Sequence, residues 1–114
     1  ASTQAAILSA GIMLRDLPDY SLWSIEAIGE PQLMMNSVSI AIGGGVRVGL
    51  EDNIWYDSSR SKLAGNIDLI KRIHVLAEAN DRKIMSSEEF RLKMKMECGD
   101  GKYGRVYDEK GNKK

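Results

Sequence analysis

Two hydrophobic periods alternate along the chain. Residues 3–15, TQAAILSAGIMLR, place Ile7, Leu8, Met13 and Leu14 among strong helix formers and predict a helix. Thr3 can cap its start, and Leu17-Pro18 closes it, because proline lacks a donor and biases its predecessor away from the helix. Residues 20–28, YSLWSIEAI, switch to a two-residue period, with Leu22, Ser24, Glu26 and Ile28 on one side and Ser21, Trp23, Ile25 and Ala27 on the other. Glu26 in such a strand is either a surface group or a group facing a functional lumen. Pro31 suits the first turn of the next helix, residues 32–42, with Leu33, Met34, Val38, Ala41 and Ile42 as its stripe and Gly43 as its end. A second strand follows at 46–50, VRVGL. A third helix spans 66–80, capped by Asn66, with Asp68 near its positive end and Ile67, Ile70, Ile73, Leu76 and Ala77 on one face. Ser86 and Glu89 form a capping box that opens a last helix, carrying Phe90 and Met94.

The order helix, strand, helix, strand, helix, helix predicts an α/β fold in which the two strands, joined by a helical crossover, lie parallel. A parallel pair needs more strands beside it and helices over both faces. This sequence supplies too few, so it is expected to be part of a larger barrel or to find the missing strands in another chain, and to associate.

Composition narrows the function classes. The 114 residues carry 16 Lys plus Arg against 16 Asp plus Glu, so no general electrostatic pull toward nucleic acid or an anionic membrane is expected. An acidic excess over residues 1–45 is balanced by a basic excess over 82–114, where acidic residues still interrupt it. Cys98 alone can form neither an internal disulfide nor a zinc knuckle, which fits a reducing compartment. No apolar run approaches the length of a membrane span, and no secretory leader is read at the front; a soluble, cytoplasmic protein is expected. The glycines at 43–45 precede a strand and lack the Gly-Lys-Ser/Thr of a phosphate loop, so they read as a helix end. The lone His74 lies on the 66–80 helix beside Ile70 and Ala77, a packed or partly exposed histidine.

The chemistry concentrates in VRVGLEDN, residues 46–53. Alternation puts Arg47, Gly49 and Glu51 on one side and Val46, Val48 and Leu50 on the other. A guanidinium and a carboxylate thus sit toward the end of a parallel strand, where α/β sheets and barrels place their active sites. A structural Arg–carboxylate pair demands the same residues, so both readings stand at this point.

WSIEAIG at 23–29, QLMMNSVSIAIGGG at 32–45, VRVGLEDNIWYD at 46–57, and Leu63-Ala64 with Asn66 together resemble the beta-keto acid cleavage enzyme family, to which the 3-keto-5-aminohexanoate cleavage enzymes belong. The resemblance runs from about Ile12 to Leu92. It implies a zinc-dependent TIM barrel of which residues 1–96 are the C-terminal portion, the last βα units of a (β/α)8 barrel. Residues 97–114, mixed in charge and interrupted by glycines, are expected from their composition to form a flexible tail. In that tail Tyr103, Val106 and Tyr107 are a candidate docking segment. The implied activity converts a beta-keto acid plus acetyl-CoA into acetoacetate and an acyl-CoA. Carried over from the family, Glu51 is the metal ligand for Zn2+, Asp52 orients and polarises the reacting groups, Arg47 lies near substrate and metal, and Asn53 orders the loop. Glu26, from the strand pattern and not from the family, is grouped with Asn53 as candidate substrate or loop support. The family's early His-x-His pair has no counterpart here, and Glu30 and Gly45 replace a common Arg and a common His or Asn. The implied partners are the missing N-terminal barrel segment or a second copy. The alternative reading is a catalytically silent half-barrel module that self-associates or docks.

Overall fold

Helices in this chain stop ahead of a proline or where a residue just past the end takes up a positive φ, as Gly43, Asp81 and Lys95 do. The computed structural model describes residues 3–96. Cys98 and the tail expectations for 97–114, including Tyr103, Val106 and Tyr107, lie outside the described residues. The elements are α1 (Thr3–Arg15), β1 (Ser24–Ile25), α2 (Gln32–Ala41), β2 (Gly45–Val46), α3 (Asn66–Ala79) and α4 (Ser87–Lys93). They form an α/β fold with a small parallel sheet, consistent with part of a TIM-barrel-like architecture; among the described residues no barrel closes. None of the described helices is long and apolar enough to cross a membrane. By contacts the chain divides into residues 1–83 and 84–114.

In the first unit, α2 follows β1 through Gly29, whose positive φ of 78° allows the reversal, and starts after Pro31. It ends in a Schellman motif. Gly43, at φ 100°, donates to the carbonyl of Ile40, and Gly44 donates to the carbonyl of Ser39 at 2.8 Å. Gly44 is also where Trp23 packs: a Cβ there would collide with the indole ring. Arg82 completes this end of α2 by donating to the carbonyls of Ile40 at 2.9 Å, Gly44 at 2.7 Å and Gly43 at 3.0 Å. A guanidinium on the negative end of a helix meets both the dipole and the orphan carbonyls.

The strands are shorter than their patterns, two residues each, in the register Ser24 opposite Gly45 and Ile25 opposite Val46. Each has a single neighbour among the described residues, and a ladder survives only where both partners are in line. The alternation shows in burial over most of its length: Trp23, Ile25, Ala27, Val46 and Val48 are half-buried and Leu22, Ser24, Glu26, Ile28 and Arg47 exposed, whereas Gly49, expected on the side of Arg47, is buried.

The helix faces are corrected. On α2 the buried set is Gln32, Met35, Asn36, Ser39 and Ile40, whereas Leu33, Met34 and Ile42 of the predicted stripe are exposed. Apolar residues surround most of this helix, so periodicity alone does not choose its face. On α3 the core residues are Leu69, Ile73 and Ala77, an i, i+4, i+8 row; Ile67 and Ile70 face outward. Asn66 does not cap α3. Gly65 precedes the helix, its N–H bonded to Asp68 Oδ2 at 3.0 Å, and Asn66 Oδ1 instead accepts from the N–H of Leu50 at 3.1 Å. α1 buries none of its residues and borders an open apolar cleft of about 560 Å³ lined by Met13, Leu14, Leu17 and Trp23.

The second unit, taken by itself, bears out the capping box. Ser86 Oγ accepts from the N–H of Glu89 at 3.1 Å, and Glu89 Oε2 accepts from the N–H of Ser86 at 2.7 Å. That backbone donor holds the Glu89 carboxyl below its ordinary range.

Candidate functional site

The register Ile25 opposite Val46 brings the next residues along, Glu26 and Arg47, to the same exposed face of adjacent strands. Their side chains meet. Arg47 Nη1 donates to Glu26 Oε2 at 2.9 Å, and Nη2 donates to Glu51 Oε1 at 3.3 Å and to Asp52 Oδ1 at 3.2 Å. One guanidinium thus gathers three carboxylates, Glu26 from just beyond β1 and Glu51 and Asp52 from the turn after β2. Asp52 is the largest of the influences that raise the Arg47 pKa above its ordinary value, followed by Glu26.

Exposure separates the three acids. The Asp52 side chain is 5% exposed, against 44% for Glu26 and 59% for Glu51. Asp52 is the anchor; the glutamates are rim groups in water, where an ion pair is screened and weak. The turn that carries them is fixed by its backbone: the N–H groups of Asp52 and Asn53 both donate to the carbonyl of Gly49, and the N–H of Gly29 donates to the carbonyl of Asp52 at 2.7 Å. Asn53 Oδ1 accepts from the N–H of Trp55 at 3.0 Å, starting the next loop. Arg47, Glu51, Asp52, Asn53 and Glu26 therefore lie together. Glu51, Asp52 and Asn53 belong to the turn, Arg47 to the extended segment that leads into it, and Glu26 arrives from just beyond β1.

A cleft of about 350 Å³ opens beside this turn, lined among others by Glu30, Glu51, Asp52, Trp55, Tyr56 and Arg72. Its far wall is a loop that the sequence pattern does not reveal. Trp55 and Leu63 form an antiparallel bridge, and Tyr56 N–H donates to the Lys62 carbonyl at 2.8 Å. Arg72, from α3, stacks on the Tyr56 ring with Cζ 3.6 Å from its centroid and donates to the Tyr56 carbonyl. Asp57 ties the loop tip, accepting from the N–H groups of Ser61 and Lys62 and from the hydroxyls of Ser59 and Ser61. The available signal was the run Asp-Ser-Ser-Arg-Ser, an acceptor followed by hydroxyls and free amides.

These donors, Ser59 and Ser61 first, depress the Asp57 carboxyl pKa well below its ordinary value of 3.8. A depressed carboxylate contributes stability that is complete above the unfolded value and is lost as pH falls through the folded one. The Asp57 carboxylate should therefore stay ionised, and the tip keep its geometry, through the whole ordinary aspartate range, loosening only well below it. In NMR titration, the Ser61 and Lys62 amide shifts should move together below the ordinary aspartate range, and Asp57→Ala should abolish that transition.

The sequence profile of the beta-keto acid cleavage enzymes matches residues 1–96. The chain belongs to the beta-keto acid cleavage enzyme family. It is similar to a 3-keto-5-aminohexanoate cleavage enzyme of Fusobacterium nucleatum, 36% identical over 80 residues, which are 69% of this chain and 29% of that protein. It is also similar to a 3-dehydrocarnitine:acetyl-CoA trimethylamine transferase of Rhizobium meliloti, 32% identical over 84 residues, 74% of this chain and 27% of the relative. A 3-keto-5-aminohexanoate cleavage enzyme of Acetoanaerobium sticklandii is 29% identical over 79 residues, 69% and 29% of the two chains. The chain spans less than a third of the length of these curated relatives.

The zinc expectation is overturned for this chain. Among the described residues no group of three or more His, Cys, Asp or Glu is placed to hold a metal ion. The physical reason is visible at Glu51, the expected ligand. Its carboxylate and those of Glu26 and Asp52 are all paired with Arg47, and a guanidinium amid the acids opposes a second cation there. His74 is exposed on α3. A zinc-dependent conversion of the keto acid, and zinc as the cofactor, are therefore not supported by the residues present.

Proposed function

We propose that this chain is the piece of a beta-keto acid cleavage enzyme that carries the last βα units of a (β/α)8 barrel, and that Arg47 is its handle for the carboxylate of the keto acid. The single observation behind this reading is the convergence of Glu26, Glu51 and Asp52 on Arg47 in a chain of this family. A beta-keto acid presents a planar carboxylate, and a guanidinium offers a matching fork. Glu26 and Glu51, half in water, can yield their places to that carboxylate at small cost. Asp52, buried, stays behind and keeps the fork aimed. Acetyl-CoA enters the proposal as second substrate because the Rhizobium meliloti relative is named for it.

The rest of the barrel comes from another segment or a second copy, which would cover the exposed side of α1 and the open strand edges. The chain by itself is inactive in this proposal. Purified alone at low micromolar concentration it should sediment as a dimer or larger species, and should leave a beta-keto acid unconsumed in the presence of acetyl-CoA. Adding a segment that supplies the remaining strands should produce a complex that consumes the keto acid. A stable monomer that is active alone would refute the reading.

A further inference from the structure

The face that α2 turns inward carries two amides where the pattern called for hydrocarbon. Gln32 is 2% exposed and Asn36 is 1% exposed, one helical turn apart. Gln32 Nε2 and Asn36 Oδ1 have no hydrogen-bond partner, and neither has the second oxygen of the anchor carboxylate, Asp52 Oδ2. An unmatched buried polar atom costs on the order of 1–3 kcal/mol, so a donor and two acceptors left over in one small fold call for each other.

The topology brings them to one level. Ser39, on the same face of α2, donates its hydroxyl to the carbonyl of Gly45, the first residue of β2. From Ser39 back to Gln32 the helix climbs about 10 Å, the rise of about three strand residues, which along β2 and its continuation reaches Val48 and Gly49. Asp52 is tied to that level by its N–H bond to the Gly49 carbonyl at 3.1 Å. Gly29 closes the circuit, donating to the carbonyl of Asp52 while its own carbonyl accepts from the N–H of Gln32 at 3.1 Å.

We infer that Gln32 is a positioning residue for Arg47: its buried amide donates to Asp52 Oδ2, by a rotamer change or through one water, and so fixes the carboxylate that holds the guanidinium. The second amide hydrogen serves Asn36 Oδ1, which keeps the Gln32 side chain from rotating away. Arg47 Nη2 then binds an oxygen whose partner oxygen is locked from behind, and the fork keeps its direction when the rim glutamates leave. The consequence for substrate binding rests on the role proposed above for Arg47; the contact between Gln32 and Asp52 does not.

NMR of the 114-residue chain, labelled at side-chain nitrogen, tests the contact without any assay of activity. The Gln32 Nε2 protons should shift when Asp52→Asn replaces a charged acceptor by a neutral one. In Gln32→Met, which keeps the side-chain volume, rotation of the Arg47 guanidinium should be at least about fivefold faster, the worth of one hydrogen bond. Met35→Ala, a loss of packing on the same buried face, should leave that rotation unchanged. The inference is overturned if the Gln32 amide ignores Asp52→Asn, or if Met35→Ala frees Arg47 as much as Gln32→Met does. Where Gln32→Met does not fold, the Asp52→Asn shift decides alone. Should the contact prove present while Arg47→Lys leaves keto acid use intact in the completed enzyme, the functional proposal fails and the positioning contact stands.

Discussion

Arg47→Lys is expected to lower kcat/KM for the keto acid about 100-fold in the completed enzyme, the loss typical of removing one well-placed donor from a charged reacting group. Lysine preserves the positive charge, so Asp52 is not left buried without a countercharge, and the fold should be retained. What it removes is the fork. Nη1 and Nη2 reach Glu26 on one side and Glu51 and Asp52 on the other, and an ammonium on a flexible stem cannot hold that spread. Glu51→Gln and Glu26→Gln should each cost much less, since both carboxylates are about half in water. Steady-state kinetics for the three variants, with circular dichroism to verify folding, makes the comparison. Equal losses in all three would show that the cluster acts through net charge and not through the geometry of the guanidinium.

Arg82→Met should be the most destabilising single change away from the site, by about 2–4 kcal/mol, given that a charged donor contributes more than a neutral one and three carbonyls lose it at once. The methionine stem retains most of the apolar contact, so the change isolates the hydrogen bonds. Arg82→Lys should recover only a minority, because a single ammonium cannot reach the oxygens of Ile40, Gly43 and Gly44 together. Denaturant unfolding of the three proteins measures both effects; a shift of Arg82→Met within error of the parent would mean that water replaces the guanidinium without loss.

The contrast between these two arginines shows where sequence reading works. Arg47 follows β2 on an extended segment whose side chains alternate, and one parallel register then carries Glu26 to its side, so its grouping with Glu51 and Asp52 was legible from residues 46–53. The helix ends were legible for the same local reason: Pro31, Gly43 and the Ser86–Glu89 box act over a few residues. Arg82 was not, because its three acceptors lie about forty positions away and no local pattern marks a residue that serves another helix's end. Nor was the buried face of α2. An apolar count favours Leu33, Met34 and Ile42, but the geometry of the crossover decides which side meets the strands, and it selects Gln32, Asn36 and Ser39. The zinc expectation failed at another level still. It followed from resemblance at Glu51, and the carboxylates present are committed to an arginine.

The contact of Trp23 with Gly44 has a consequence for how relatives of this chain can diverge. The indole lies in the space that any side chain at position 44 would need, and Gly44 cannot move aside, because its N–H is fixed to the Ser39 carbonyl and its carbonyl to Arg82. The two positions are therefore not free to drift separately. In an alignment of the family they should covary: members with alanine or a larger residue in place of Gly44 should carry a smaller residue in place of Trp23. In the laboratory, Gly44→Ala should be poorly tolerated alone, at about 1–3 kcal/mol for an overpacked core, and should recover part of that loss when combined with Trp23→Leu. A double-mutant cycle in which the two changes simply add would show that the indole finds another resting place.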